Sequence, residues 1–90
     1  MELFPASGEI NRKVDDAPAL LAAVEASYAP RASRIDRMDG LSLEFADWRF
    51  NLRSSNTEPL LRLNVESRGD AALMHQRTAE LLEQLGGEPG

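Results

Sequence analysis

The chain has 90 residues, a net charge of −5, 42% hydrophobic and 28% charged residues, and no cysteine. That length makes a single domain, residues 1–90, with one small core; the lack of thiols excludes disulfides and thiolate metal sites and fits a reducing, cytoplasmic setting. A nucleic-acid partner needs a basic field, which the net charge opposes, and a membrane partner is not expected because no apolar run reaches spanning length and no signal-peptide pattern opens the chain.

Met1 to Gly8 reads as an irregular lead-in whose Leu3 and Phe4 are apolar enough to have been cut off from something upstream. Glu9 to Val14 fits a short strand. Asp15 or Asp16 is a good N-cap for the next segment, and Pro18 is tolerated in a first helical turn. Ala17, Leu20, Leu21, Val24 and Tyr28 recur at helical spacing, and Pro30 ends that helix. Ala32 to Met38 fits a strand. Asp39-Gly40 signals a hairpin with a type I′ turn, in which both central residues need positive φ. Leu41, Leu43 and Phe45 alternate with Ser42 and Glu44; Ala46-Asp47 makes a second tight turn; Trp48, Phe50 and Leu52 then alternate with Arg49 and Asn51. Leu61, Leu63 and Val65 alternate with Arg62, Asn64 and Glu66. Asp70 is placed to cap a last helix, with Met74, Thr78, Leu81, Leu82 and Leu85 on one face, and Gly86-Gly87 stops it. Glu88 to Gly90 reads as a polar tail.

The order strand, helix, three or four antiparallel strands, helix predicts an α+β domain, a sheet of about four strands with two helices on one face. The other face would carry the arginines and be wetter.

Between two of the predicted strands lies Arg53-Ser54-Ser55-Asn56-Thr57-Glu58-Pro59. A short polar loop of this kind can surround one anion with a guanidinium, two hydroxyls and backbone N–H groups. Arginine suits phosphate through two-pronged, charge-assisted bonds, and Pro59 fixes where the chain rejoins the sheet. Arg49, Arg53 and Arg62 would form a local basic patch against the acidic background. Against this stands a cross-strand pairing of Arg49 or Arg62 with Glu44 or Glu66. His75 has no ligand partner at useful spacing and is expected to be exposed. Trp48 and Phe50 are expected in the core. Glu58 should point away from an anion or pair with an arginine.

The seven residues from Arg53 to Pro59 complete the pattern Arg-x-Ser-x-Thr-x-Pro and resemble the phosphate-binding loop of the α-D-phosphohexomutase superfamily, which includes phosphomannomutase and phosphoglucomutase. The segments Pro5 to Asn11, Asp39-Gly40, Trp48 to Leu52 and Leu60 to Glu66 also look like their counterparts around that loop, so the resemblance covers about residues 4 to 85. It implies the fourth, C-terminal domain of a larger enzyme, with a TATA-box-binding-protein-like sheet. It also implies a reaction that moves phosphoryl between sugar 1- and 6-positions through a phosphoserine and a bisphosphate. Substrate phosphate would be held by Arg53, Ser55, Asn56 and Thr57, with Arg62 and Ser54 beside them. The partners implied are a mannose or glucose phosphate and the remaining domains. Mg²⁺ would bind in another domain, with no cofactor in this one. The phosphoserine loop, the Asp-x-Asp-x-Asp metal loop and the Gly-Glu-x-Ser-Gly-His sugar loop are absent from these 90 residues; Ser7, Asp15-Asp16 and Gly8-Glu9 do not supply them. No catalytic residue is therefore expected here, and the chain by itself should be inactive. Asn56 favours phosphomannomutase or a dual-specificity enzyme over phosphoglucosamine mutase, whose loop more often reads Arg-Pro-Ser-Gly-Thr-Glu-Pro. The alternative is a stand-alone phospho-ligand-binding module, which a natural start at Met1 would favour.

Overall fold

Apolar residues at every second position make one side of each strand greasy and the other polar, and the chain solves this with one sheet and two helices on its greasy side. The computed structural model describes residues 4–55 and 57–90, so the expectations for Leu3 and Asn56 fall outside the described residues. The elements in order are β1 (Ile10–Lys13), α1 (Ala17–Tyr28), β2 (Arg34–Asp36), β3 (Leu41–Glu44), β4 (Trp48–Ser54), β5 (Leu60–Ser67), α2 (Ala71–Leu85) and β6 (Glu88–Pro89). The described strands form one sheet in the order β2-β3-β4-β5-β1-β6, every pair antiparallel.

The α+β expectation holds, with six strands instead of about four. The strand with no counterpart in the sequence reading comes from the C-terminal residues. Gly86 (φ 62°) and Gly87 (φ 71°) turn the chain back after α2, Glu88–Pro89 pairs with β1, and Gly90 N donates to Asn11 O at 3.0 Å. A side chain at Gly87 would strike the Lys13 carbonyl, so the close return needs glycine. Glu88 to Gly90 is therefore a pairing edge and not a free tail.

The lead-in is also more ordered than expected. Ser7 N donates to Val65 O (2.8 Å) and Ser67 N to Pro5 O (3.0 Å), with Ala6 bridged to Glu66. Ile10 pairs with Leu63, so four steps on this side match three on β5. Gly8 (φ 73°) lies within the stretch that absorbs the extra residue, as in a β-bulge. The Ser7 Oγ accepts from Val65 N at 2.9 Å, a side chain serving as a ladder acceptor.

Both helices start on aspartate caps. Asp16 Oδ1 accepts from Ala19 N at 3.1 Å and Asp70 Oδ1 from Leu73 N at 2.9 Å. After α1 the chain passes through a single 3-10 turn, Ala29–Arg31, that contains Pro30. Val24 and Tyr28 from α1, and Met74, Leu81 and Leu85 from α2, meet Leu41, Leu43, Phe50, Leu52, Leu61, Leu63 and Val65 in one core. Trp48 and Phe50 are buried, as expected; Phe45 stacks on Trp48 with centroids 4.3 Å apart. The Arg77 guanidinium lies 5.2 Å from the Trp48 ring centroid and pairs with Glu80 at 3.0 Å. The Tyr28 hydroxyl donates to Glu80 at 3.4 Å. Burial, with Glu80 adding to it, pushes the Tyr28 phenol up. His75 is exposed.

The β2–β3 connection departs from a type I′ turn. Among the described residues only glycines have positive φ, so Asp39 does not adopt the geometry that turn requires. The chain uses a longer loop. Asp36 Oδ1 accepts from Met38 N at 2.8 Å, and Gly40 alone takes the left-handed conformation (φ 74°). A Cβ at Gly40 would come 2.5 Å from Arg53 Cβ and 2.8 Å from Leu52 O, so the turn lies directly on β4. Arg37 clamps Glu25 of α1 with bonds of 3.0 and 2.6 Å. These hydrogen bonds, more than the charge itself, hold the Glu25 carboxyl below its usual range.

Replacing Asp70 by Ala removes the α2 cap and should cost about 1 kcal/mol in urea unfolding. Gly40→Ala should cost more than about 1 kcal/mol, since the backbone conformation and the contact with β4 both oppose a methyl group; an unchanged midpoint would contradict the close approach.

Candidate phosphate-binding site

β4 and β5 hold one register over the seven pairs from Trp48↔Ser67 to Ser54↔Leu61. Leu52 and Leu63 face the helices in this ladder and are fully buried. Side chains alternate, so the next pair, Arg53↔Arg62, faces the open side of the sheet. Two guanidinium-bearing residues thus stand directly opposite each other at the end of the sheet nearest the β4–β5 connection. The motif also divides differently from the expected loop: Arg53 and Ser54 belong to β4, and the connection proper begins at Ser55. Its ends are tied, with Ser55 N donating to Leu60 O (3.0 Å) and Val14 N to Pro59 O (2.9 Å).

Arg53, Ser54, Ser55 and Arg62 line one shallow hollow of about 350 Å³, and Met38, Asp39 and Gly40 of the β2–β3 turn form another part of its wall. Ser55 is half-buried and Thr57 exposed. Thr57 N donates to Ser55 Oγ at 3.3 Å, and the two hydroxyl oxygens are 3.4 Å apart. The Ser55 oxygen takes up the Thr57 amide, which leaves its O–H proton to be aimed elsewhere. The backbone N–H groups of Ser55 and Thr57 are both engaged internally. Glu58 is exposed and forms no ion pair with a described arginine. Asn56 lies outside the described residues.

The arginines have different surroundings. Arg49 does not join the patch: its guanidinium lies 2.9 Å from Glu66 and 3.8 Å from Glu44, the cross-strand pairing weighed from the sequence. Among the described residues Arg53 has one acidic neighbour, Asp39, at 3.8 Å, beyond hydrogen-bonding reach. Arg62 forms no ion pair with a described residue, and its Nε is buried without a hydrogen-bond partner there. Two roomier hollows, of about 430 and 520 Å³, lie elsewhere over the sheet. Both contain Arg49 with Glu44 and Glu66, so the charge of that arginine is already answered. Arg34 lines the first and Arg68 the second, but acidic side chains match or outnumber the arginines in both, whereas the smaller hollow has two arginines against Asp39 alone.

Asp39 and Gly40 were legible only as turn residues. Their place beside Arg53 follows from the Leu41↔Leu52 pairing, which no local signal announces. Among the described residues no group of three or more His, Cys, Asp or Glu side chains could hold a metal ion.

The chain resembles known proteins along most of its length. A family model described as phosphoglucomutase/phosphomannomutase, C-terminal domain, matches residues 9–84. A phosphomannomutase of Salmonella montevideo is 62% identical over 85 residues, covering 94% of this chain and 19% of that protein. A protein of Xanthomonas campestris pv. campestris described as phosphohexose mutases is 61% identical over 87 residues, covering 97% of this chain and 19% of that one. In three dimensions, the crystal structure of a phosphoglucomutase/phosphomannomutase family protein from Burkholderia thailandensis superposes with a TM-score of 0.64 at 26% identity, over 93% of this chain and 19% of that one. The chain therefore spans about a fifth of the length of the relatives it matches. A two-helix, antiparallel α+β domain, a complete Arg-x-Ser-x-Thr-x-Pro loop and these matches together place the chain in the phosphoglucomutase/phosphomannomutase C-terminal domain family.

Proposed function

We propose that this domain grips the phosphate of a phosphosugar within a larger phosphohexomutase, of the phosphomannomutase/phosphoglucomutase kind. The carrying observation is the facing pair Arg53↔Arg62 over a hollow lined by Ser54 and Ser55. Like charges directly opposite each other weaken a sheet, and a bound dianion would turn that repulsion into a shared attraction.

Arg53 supplies charge and a two-pronged contact. Ser55 and Thr57 donate O–H bonds, and Asn56 belongs to the same set by its place in the motif. Arg62 adds a second positive charge from the neighbouring strand, and Ser54 borders the hollow. The chemistry takes place on other domains of the parent enzyme, where Mg²⁺ would also bind. This domain contributes by holding the phosphate that is not reacting. Phosphoryl transfer depends chiefly on positioning and electrostatics, and binding energy from a remote group can be spent on aligning the reacting end. Mannose and glucose phosphates are the proposed substrates and the remaining domains the proposed partners. Among the described residues no helix is long and apolar enough to cross a membrane, and a cytoplasmic enzyme is part of the same proposal.

The 90-residue chain, titrated with inorganic phosphate and followed by backbone amide shifts, should bind with a dissociation constant of about 1 mM, or about −4 kcal/mol. The shifts should centre on Arg53 to Glu58. Arg53→Gln should weaken binding by about tenfold or more, since it removes a charge-assisted contact. Shifts centred elsewhere, or unchanged binding in the variant, would overturn the assignment.

A further inference from the structure

We infer that the β2–β3 turn is a second wall of the phosphate site and that Asp39 is its resident anion, which incoming phosphate must displace from Arg53. The inference rests on the phosphate reading of the loop.

The turn is fixed from four directions. Asp36 caps Met38 N. Asn51 Nδ2, on the open face of β4, donates to the Asp39 carbonyl at 3.0 Å and to Ser42 Oγ at 2.9 Å. Arg37 is clamped to Glu25. Gly40 lies so close to β4 that a Cβ there would meet Arg53 Cβ and Leu52 O. The backbone carrying Asp39 therefore has little freedom, and its place beside Arg53 is built into the fold.

The Asp39 side chain is held much less firmly. It is 86% exposed, and its described ion pair is the 3.8 Å contact to Arg53, whose side chain is 40% exposed. At that separation the carboxylate partly neutralises Arg53 without forming a hydrogen bond or filling the hollow. A phosphate dianion in the hollow has twice the charge and direct access to both arginines, so it wins the guanidinium. Asp39 then remains next to the bound anion as a like charge and weakens the grip. This gives the site one property: bound phosphate is held loosely enough to leave readily.

The test compares the 90-residue chain with Asp39→Asn and Asp39→Ala, each titrated with inorganic phosphate and followed by amide shifts. In the unaltered chain, shifts at Arg53 to Thr57 should be accompanied by shifts at Asp39 and Gly40 as the carboxylate is displaced. Both variants should bind about three- to tenfold more tightly, the scale expected for removing one partly screened charge a few ångströms from a dianion. Agreement between the two variants assigns the gain to the lost charge; tightening in Asp39→Asn alone assigns it to the new amide and overturns the inference. Equal or weaker binding by both variants, with the loop shifts of the unaltered chain intact, also overturns it and leaves the phosphate reading standing. Absence of loop shifts in all three proteins removes the phosphate reading and the inference with it.

Discussion

The arrangement of the site depends on the register between β4 and β5. Leu52 and Leu63 are paired in it and fully buried, so the ladder cannot slip by one residue without turning a row of core leucines toward solvent. With that register fixed, Arg53 and Arg62 must face each other on the open side. The unfavourable approach of two cations is carried by hydrophobic burial on the opposite side of the same strands. Burying one leucine is worth roughly 1.5–3 kcal/mol, and a cross-strand pair of charged side chains changes stability by roughly 0.2–1 kcal/mol. The core therefore has enough surplus to hold a cationic pair in place. The aromatic cluster of Tyr28, Phe45, Trp48 and Phe50 strengthens the other end of β4, away from the hollow.

Much of this is legible in the amino-acid sequence alone. Alternation marked β3, β4 and β5; the aspartates before Ala17 and Ala71 marked the helix starts; and the stripe from Met74 to Leu85 marked a buried face. These signals are local, and each depends on one element's own period. The misses share a different character. The pairing of Glu88–Pro89 with β1, and of Pro5 to Ser7 with β5, are non-local events made by short segments with weak patterns of their own. Asp39-Gly40 misled for a related reason. The dipeptide suits a two-residue turn, but the structure places the pairing so that Asp36 meets Ser42, and a longer loop needs only one left-handed residue.

The site was legible in the same uneven way. Arg53, Ser55 and Thr57 stand in one motif, and the resemblance assigned them together. Period-two alternation puts Arg49, Arg53 and Arg62 on one side of the sheet, which suggests three equivalent cations. Arg53 and Arg62 face each other, while Arg49 lies further along β4, where Glu44 and Glu66 occupy it alone. Charge pairing across strands needs the register, and the register is set by packing that no single segment reveals.

The outer strands of the sheet have a further consequence. β2 is three residues long and β6 two, one of them a proline that has no N–H to offer. Neither border gives a foreign chain much to add to, which is how soluble sheets avoid sticking to one another. The few residues after α2 thus act as a hem: without them, β1 would become the border and present its unsatisfied amides and carbonyls to any neighbouring molecule as a template for aggregation.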